Sequence, residues 1–201
     1  GSTFWFTLTL APPKKVSPNL TPYINLKGLH ALIVDDNAIN CKILEHNFDS
    51  WGIERHSCKS GKHALAALYQ AIANEKPFDF AVLDLMMEEM DGLSLSYAIK
   101  HNPLIASTRL IMLSSHAQRG DAQAARNVGF SAYLTKPVRK ATLYEAITLV
   151  MGLQPEHKDV LITRHTIKEL GRHQEYSVLL VEDNQFNQKV ALGMLKRLGL
   201  H

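Results

Sequence analysis

Cysteine is nearly absent: the 201 residues hold two, Cys41 and Cys58. Neither stands at a metal-ligand spacing, so no zinc site and no disulfide framework follows. They read as reduced, buried small hydrophobes of a cytosolic protein. Long hydrophobic runs are missing too. The longest, Ala146–Leu153, contains Thr148 and Gly152 and falls far short of the ~20 apolar residues that span a bilayer. The first residues show no basic stretch and no small-residue cleavage site, so they do not read as a signal peptide. Charge of one sign is also lacking. Lys and Arg number 22 against 19 Asp and Glu. No block is basic enough for the electrostatic footprint of nucleic-acid binding. The ten histidines are scattered, with no His-x-x-x-His pair. Hydrophobic residues make up 46% and charged residues 20%, which excludes a disordered tail, a collagen-like chain and a coiled coil.

What is present is an internal repeat. His30-Ala-Leu-Ile-Val-Asp-Asp-Asn37 leads into a helical pattern ending at Trp51-Gly52, and Ser177-Val-Leu-Leu-Val-Glu-Asp-Asn184 leads into one ending at Leu198-Gly199. Asp36 matches Asp183, Asn37 matches Asn184, Asn40 matches Asn187 and Gly52 matches Gly199, all at an offset of 147. That period is too long for a solenoid and marks two copies of one domain. The second copy stops at His201, so the chain reads as cut inside its last domain.

Between the copies, strand and helix signals alternate. The apolar runs Ala31–Val34, Phe78–Leu83, Leu110–Leu113 and Ala132–Leu134 predict buried strands, and the more polar Ile53–Cys58 predicts an edge strand. Among the helical stretches, Ile39, Ile43, Leu44, Phe48 and Trp51 are expected to share one face. Leu65, Leu68 and Ile72 share another, and Leu143, Ala146, Ile147 and Val150 a third. Five strands alternating with five helices predict an α/β fold with a parallel sheet covered on both faces.

The strand ends carry the chemistry. The first ends in Asp35-Asp36, the third in Asp84, the fourth in Ser114-Ser115 and the fifth in Thr135-Lys136-Pro137. In such a sheet ligands bind outside the C-terminal strand ends. Three carboxylates there raise one another's pKa, and a magnesium ion with its oxygen ligands relieves this. Lys136 balances charge from the other side and Ser114 donates a hydrogen bond. An aspartate in this setting can act as a nucleophile in phosphoryl transfer. A blander reading of the acidic pair is helix capping by Asp36 or Asn37. Lys136 must turn back toward the cleft directly after a strand, so a cis Lys136–Pro137 bond is expected.

Residues 26–153 resemble a response-regulator receiver domain over their full length. The resemblance rests on Val34-Asp35-Asp36-Asn37, on Leu83-Asp84-Leu-Met-Met-Glu-Glu-Met-Asp91-Gly92, on Leu113-Ser114-Ser115 and on Tyr133-Leu-Thr-Lys136-Pro137. It implies a flavodoxin-like, doubly wound five-stranded sheet in the order 2-1-3-4-5. It implies Asp84 as phospho-acceptor, with Lys136 and Ser114 contacting the phosphoryl group. The implied ligands of Mg2+ (or Mn2+) are Asp36, Asp84 and the backbone carbonyl of Met86, with Asp35 acting through water. Tyr133 and Ser114 take the switch positions, and Met86 and His116 border the acceptor and tune water access. One departure stands out: the family's proline four residues after the acceptor is Glu88 here, followed by Glu89.

The flanks extend the resemblance. Residues 1–10 are similar to the closing strand of a histidine-kinase ATP-binding domain, although Gly1-Ser2 can also be read as an expression remnant. Residues 11–25, with four prolines in Ala11–Pro22, form a linker. Residues 154–176 form a second linker with a helical turn or two around Ile167–Leu170, and residues 177–201 start a second receiver. The implied parent is a hybrid sensor histidine kinase with tandem receivers, anchored in the inner membrane with this part in the cytoplasm. The implied partner is a phosphohistidine-bearing kinase or phosphotransfer domain. The piece itself catalyses no more than its own phosphoryl transfer and dephosphorylation. The apolar faces of 177–201 predict disorder or self-association against another copy. The competing reading is a receiver-fold interaction module that regulates the kinase without being phosphorylated. A metabolic aspartyl-phosphate phosphatase needs a carboxylate two residues after the nucleophile, where this chain has Met86.

Overall fold

The computed structural model describes residues 24–115, 120–153, 160–167 and 178–197. The strands are β1 (His30–Val34), β2 (Glu54–Cys58), β3 (Phe80–Asp84), β4 (Arg109–Ser114), β5 (Ala132–Thr135) and β6 (Ile162–Thr163). The helices are α1 (Ala38–Trp51), α2 (Gly61–Ala73), α3 (Gly92–Lys100), α4 (Asp121–Asn127), α5 (Lys140–Gly152) and α6 (Gln185–Arg197). All six strands join one parallel sheet in the order β2-β1-β3-β4-β5-β6. The polar strand β2 takes an edge, as its composition predicts.

Strand side chains alternate between the two faces of a sheet, and here both faces are apolar. Ala31, Ile33, Phe80, Val82, Ile111 and Leu113 pack with Leu44 and Phe48 of α1 and with Leu143, Ile147 and Val150 of α5. The residues between them, Leu32, Val34, Ala81, Leu83, Leu110 and Met112, pack with Leu68 of α2, Leu95 and Ile99 of α3, and Ala125 of α4. This two-sided burial is why the strands read as continuous hydrophobic runs. Cys41 and Cys58 are free and buried. Burial, with Cys41 beside it, pushes the Cys58 thiol up to about 11, which keeps it protonated and unreactive at neutral pH.

The structure corrects three expectations. The sheet has a sixth strand where the pattern predicts five. β6 pairs with β5 through Ala132 and Tyr133 and lies within the stretch read as a linker. Two residues are too few to make a periodic signal, but Ile162 is 2% exposed and Ile167, in the helical turn at 164–167, is also buried. Thr163 and Thr166 cap this turn, each hydroxyl accepting the other's backbone N–H at 3.3 Å.

On α1, the buried stripe is Cys41, Leu44, Asn47 and Phe48. Ile39 and Ile43, expected on that face, are 69% and 56% exposed. Residues 178–181, expected as a strand, join no sheet, and Leu179, Val181 and Phe186 lie exposed beside or on α6. The expected strand over Phe4–Leu10 lies outside the described residues.

Ile162→Ala removes a buried side chain from the sheet edge. It is expected to cost about 2 kcal/mol of unfolding free energy, at the low end for Ile→Ala because an edge site can collapse. Urea denaturation of the two chains measures this.

Candidate functional site

Strand pairing builds the site. Val34 and Leu83 are register partners in β1 and β3, so the residues that follow, Asp35 and Asp84, emerge side by side. Ser114 pairs with Thr135, which brings Lys136 to the same end. The Lys136 N–H donates to the Ser114 carbonyl at 2.8 Å, and the Lys136–Pro137 bond is cis, as expected from the sequence.

Asp35, Asp36 and Asp84 place carboxylate oxygens within 4.8 Å of one another. Asp35 and Asp84 are buried and Asp36 is exposed. Lys136 Nζ donates to Asp35 Oδ2 and to Asp84 Oδ1, each at 2.7 Å. Asp35 is tied further, since Oδ1 accepts from the Asn37 N–H at 2.9 Å and from Asn40 Nδ2 at 3.1 Å. Its backbone carbonyl accepts from Cys41 Sγ at 3.2 Å. The helix cap that competed for the acidic pair is Asn37. Its side chain accepts from the N–H groups of Ile39 and Asn40, at 2.8 and 3.3 Å, which leaves Asp36 in the carboxylate group.

The electrostatics follow from burial. Desolvation pushes the Asp84 carboxyl above its ordinary value, Lys136 pulls it down, and Asp35 and Asp36 push it up again. For Lys136, burial works against the charge, but hydrogen bonds to Asp35 and Asp84 outweigh it and raise the ammonium pKa. Three carboxylates face one ammonium. This donor set, oxygen-only with an excess of negative charge, fits a hard divalent cation.

Ser114 is fully buried at the end of β4 and its hydroxyl hydrogen-bonds Tyr133. The Tyr133 hydroxyl also donates to Asp121 Oδ2 at 3.3 Å, and burial raises the phenol pKa. The chain Ser114–Tyr133–Asp121 therefore runs from the carboxylate cleft to the start of α4. A cavity of about 330 Å3 opens beside Asp35 and Lys136, walled by Ile43, Leu44, Val138 and Leu143.

The model of the response regulator receiver domain matches residues 31–148 of this chain. The chain belongs to that family. It therefore carries a receiver domain of two-component phosphorelay signalling. It is 36% identical over 121 residues to the transcriptional regulatory protein GlrR of Escherichia coli K12, covering 60% of this chain and 26% of GlrR. It is 26% identical over 148 residues to the signal transduction histidine-protein kinase BarA of the same strain, covering 67% of this chain and 16% of BarA. The chain thus spans about a quarter of GlrR and less of BarA. Among solved structures, chemotaxis protein CheY4 of Vibrio cholerae superposes with a TM-score of 0.55 at 25% identity, over 61% of this chain and 98% of CheY4.

The receiver brings Asp35, Asp36, Asp84, Ser114, Lys136 and Tyr133 to one end of the sheet. Met86 lies two residues past Asp84 with its side chain 62% exposed. His116 lies outside the described residues. Glu88 and Glu89 stand apart from the carboxylate group. Glu89 pairs with Lys62 at 2.9 Å and the Glu88 carbonyl accepts the Met90 N–H at 2.7 Å. Gly92 admits no substitute, because a Cβ there would lie 2.5 Å from the Asp84 carbonyl oxygen. Sequence reasoning missed Asn40 as the donor that orients Asp35, although the repeat had already paired Asn40 with Asn187. Nothing in the sequence pointed to Asp121 as the partner of Tyr133.

A carboxyl with a raised folded pKa holds its proton more tightly folded than unfolded. Stability therefore falls as pH rises from the ordinary value of 3.8 through the folded one. Asp84→Asn keeps an acceptor for Lys136 and removes that loss. In EDTA at pH 7 the variant is expected to melt higher than the parent chain, with the gap narrowing toward pH 4. Thermal melts across that range check it.

Proposed function

We propose that this receiver takes a phosphoryl group from a phosphohistidine onto Asp84, with Mg2+ (or Mn2+), inside a hybrid sensor histidine kinase that carries tandem receivers. The observation that carries the reading is the Lys136 ammonium held 2.7 Å from both Asp35 and Asp84, with Asp36 completing the carboxylate group. An Asp84 oxygen attacks phosphorus and forms the P–O bond. The P–N bond breaks and its electron pair returns to the imidazole, leaving an acyl phosphate on Asp84. Lys136 and the Ser114 hydroxyl stabilise the charge on the phosphoryl oxygens. A divalent cation would be held by Asp36, Asp84 and the Met86 carbonyl, with Asp35 acting through water, and when bound would supply the positive charge that keeps the carboxylates ionised beside an incoming phosphate. Tyr133 and Ser114 read out the phosphorylated state, and Met86 and His116 set water access to the acyl phosphate.

The surroundings favour a protein donor. Exposed Ile43 on α1 lines the cavity next to Asp35, and Ile39, one turn earlier on the same helix, is exposed too, an apolar platform suited to a helix that presents a phosphohistidine. The kinase parent is supported by the likeness to BarA.

Tandem receivers are supported by a structural repeat. Asn184 caps α6 by accepting from Phe186 and Asn187, and Glu182 Oε1 accepts from the Asn184 N–H and from Asn187 Nδ2. These are the bonds that Asn37 and Asp35 make in the first copy, at the same offset. The apolar faces of 178–197 would then be covered by the rest of a second receiver or by another copy of the chain.

Acetyl phosphate with Mg2+ is expected to add one phosphoryl group, seen by intact mass. Asp84→Asn and EDTA should each abolish the adduct. Equal labelling in either control overturns the assignment and favours the interaction module that works without phosphorylation.

A further inference from the structure

We propose that Gly61, at the first position of α2, positions the acceptor loop of residues 85–91 by leaving room for Met90. This rests on the reading of the Asp84 group as a cation-dependent acceptor site. A Cβ on Gly61 would lie 2.7 Å from Met90 Sδ, 2.9 Å from its Cγ and 3.0 Å from its Cβ. The contact runs along the whole side chain, so Met90 cannot relieve it by swinging its tip. Gly61 is itself buried, and Ser60 anchors the start of α2 by accepting the His63 N–H.

The loop is tied to the same helix a second time. Lys62, the next residue of α2, pairs with Glu89. Glu89 stands at φ 62°, the left-handed region that L side chains seldom adopt. Surroundings must hold a glutamate there: Lys62 pairs with its side chain, and the seated Met90 follows it on the chain. This loop has no proline at position 88, where the family has one, so contacts rather than a fixed φ must keep it in place.

The far end of the loop reaches the acceptor. Gly92 follows Met90 by two residues, and its N–H donates to the Leu85 carbonyl at 3.0 Å. Its backbone is so close to the Asp84 carbonyl that no Cβ fits. A shift of Met90 therefore passes through Gly92 to the backbone of Asp84 and its neighbours. Gly61 touches none of the proposed ligands. It acts through Met90, as outer-shell groups act on metal ligands.

The test is calorimetric titration of the whole chain with MgCl2, beside melts in EDTA. Gly61→Ala is expected to weaken Mg2+ binding about tenfold. The metal-free chain should still fold, because alanine is the better helix residue. Met90→Ala removes the same contact from the other side and should also weaken binding, which keeps the test open if Gly61→Ala fails to fold. In the Met90→Ala background, Gly61→Ala should have no further effect. Unchanged affinity in Gly61→Ala, or the same loss in both backgrounds, overturns the proposal. A parent chain that binds no Mg2+ overturns the acceptor reading itself and this proposal with it, whereas normal binding by both chains overturns the positioning role alone.

Discussion

The Lys136 ammonium between Asp35 and Asp84 is the interaction on which the rest of the receiver's site depends. It is shared between two carboxylates that the sheet has taken almost wholly out of water. Removing the lysine would leave both buried carboxylates without a counter-charge, at a cost of about 3–5 kcal/mol. The lysine arrives from the end of β5, one strand beyond β4 in the sheet, so the pairing of β3, β4 and β5 must be correct before the site exists. Among the described residues, no buried side-chain nitrogen or oxygen lacks a hydrogen-bond partner. The polar cluster therefore leaves no buried side-chain hydrogen-bonding atom unpaired.

Around that cluster the receiver divides its labour. Two layers of helices bury both sheet faces and make the strands rigid. The loops at the C-terminal ends then carry the groups that must meet a ligand, and their backbones are tied down one by one. Asn37 and Asn40 hold the β1 loop, Gly92 and Met90 hold the β3 loop, and the Ser114 carbonyl holds the turn at Lys136. Tyr133 and Asp121 connect the cleft to α4. β6 closes the β5 edge on the side away from β4, so a strand that would otherwise offer unpaired backbone groups is paired.

Much of this was legible in the sequence. The run lengths and their helical spacers specify a parallel sheet, and the residues at the strand ends name Asp35, Asp36, Asp84, Ser114 and Lys136 together. Periodicity placed Leu44 and Phe48 in the core but put Ile39 and Ile43 there with them. The helix needs a single buried stripe, and the small Cys41 and the polar Asn47 occupy the positions that a hydrophobicity pattern assigns to isoleucine. β6 was illegible for a different reason. Two residues have no period, and their burial depends on an edge formed by residues thirty positions earlier.

The amino-acid order by itself determined the fold class and the identity of the acidic cluster, because local apolar runs and strand-end residues encode them directly, while the strand order followed only from the resemblance to the receiver family. Tertiary structure alone decided how the groups are shared. It made Asn37 the helix cap rather than Asp36, since the cap must accept from backbone N–H groups that exist only once α1 has formed. It gave Lys136 to Asp35 and Asp84 together and left Asp36 exposed, since burial is a property of the packed sheet. It set Gly61 against Met90 across two elements whose contact no local pattern records.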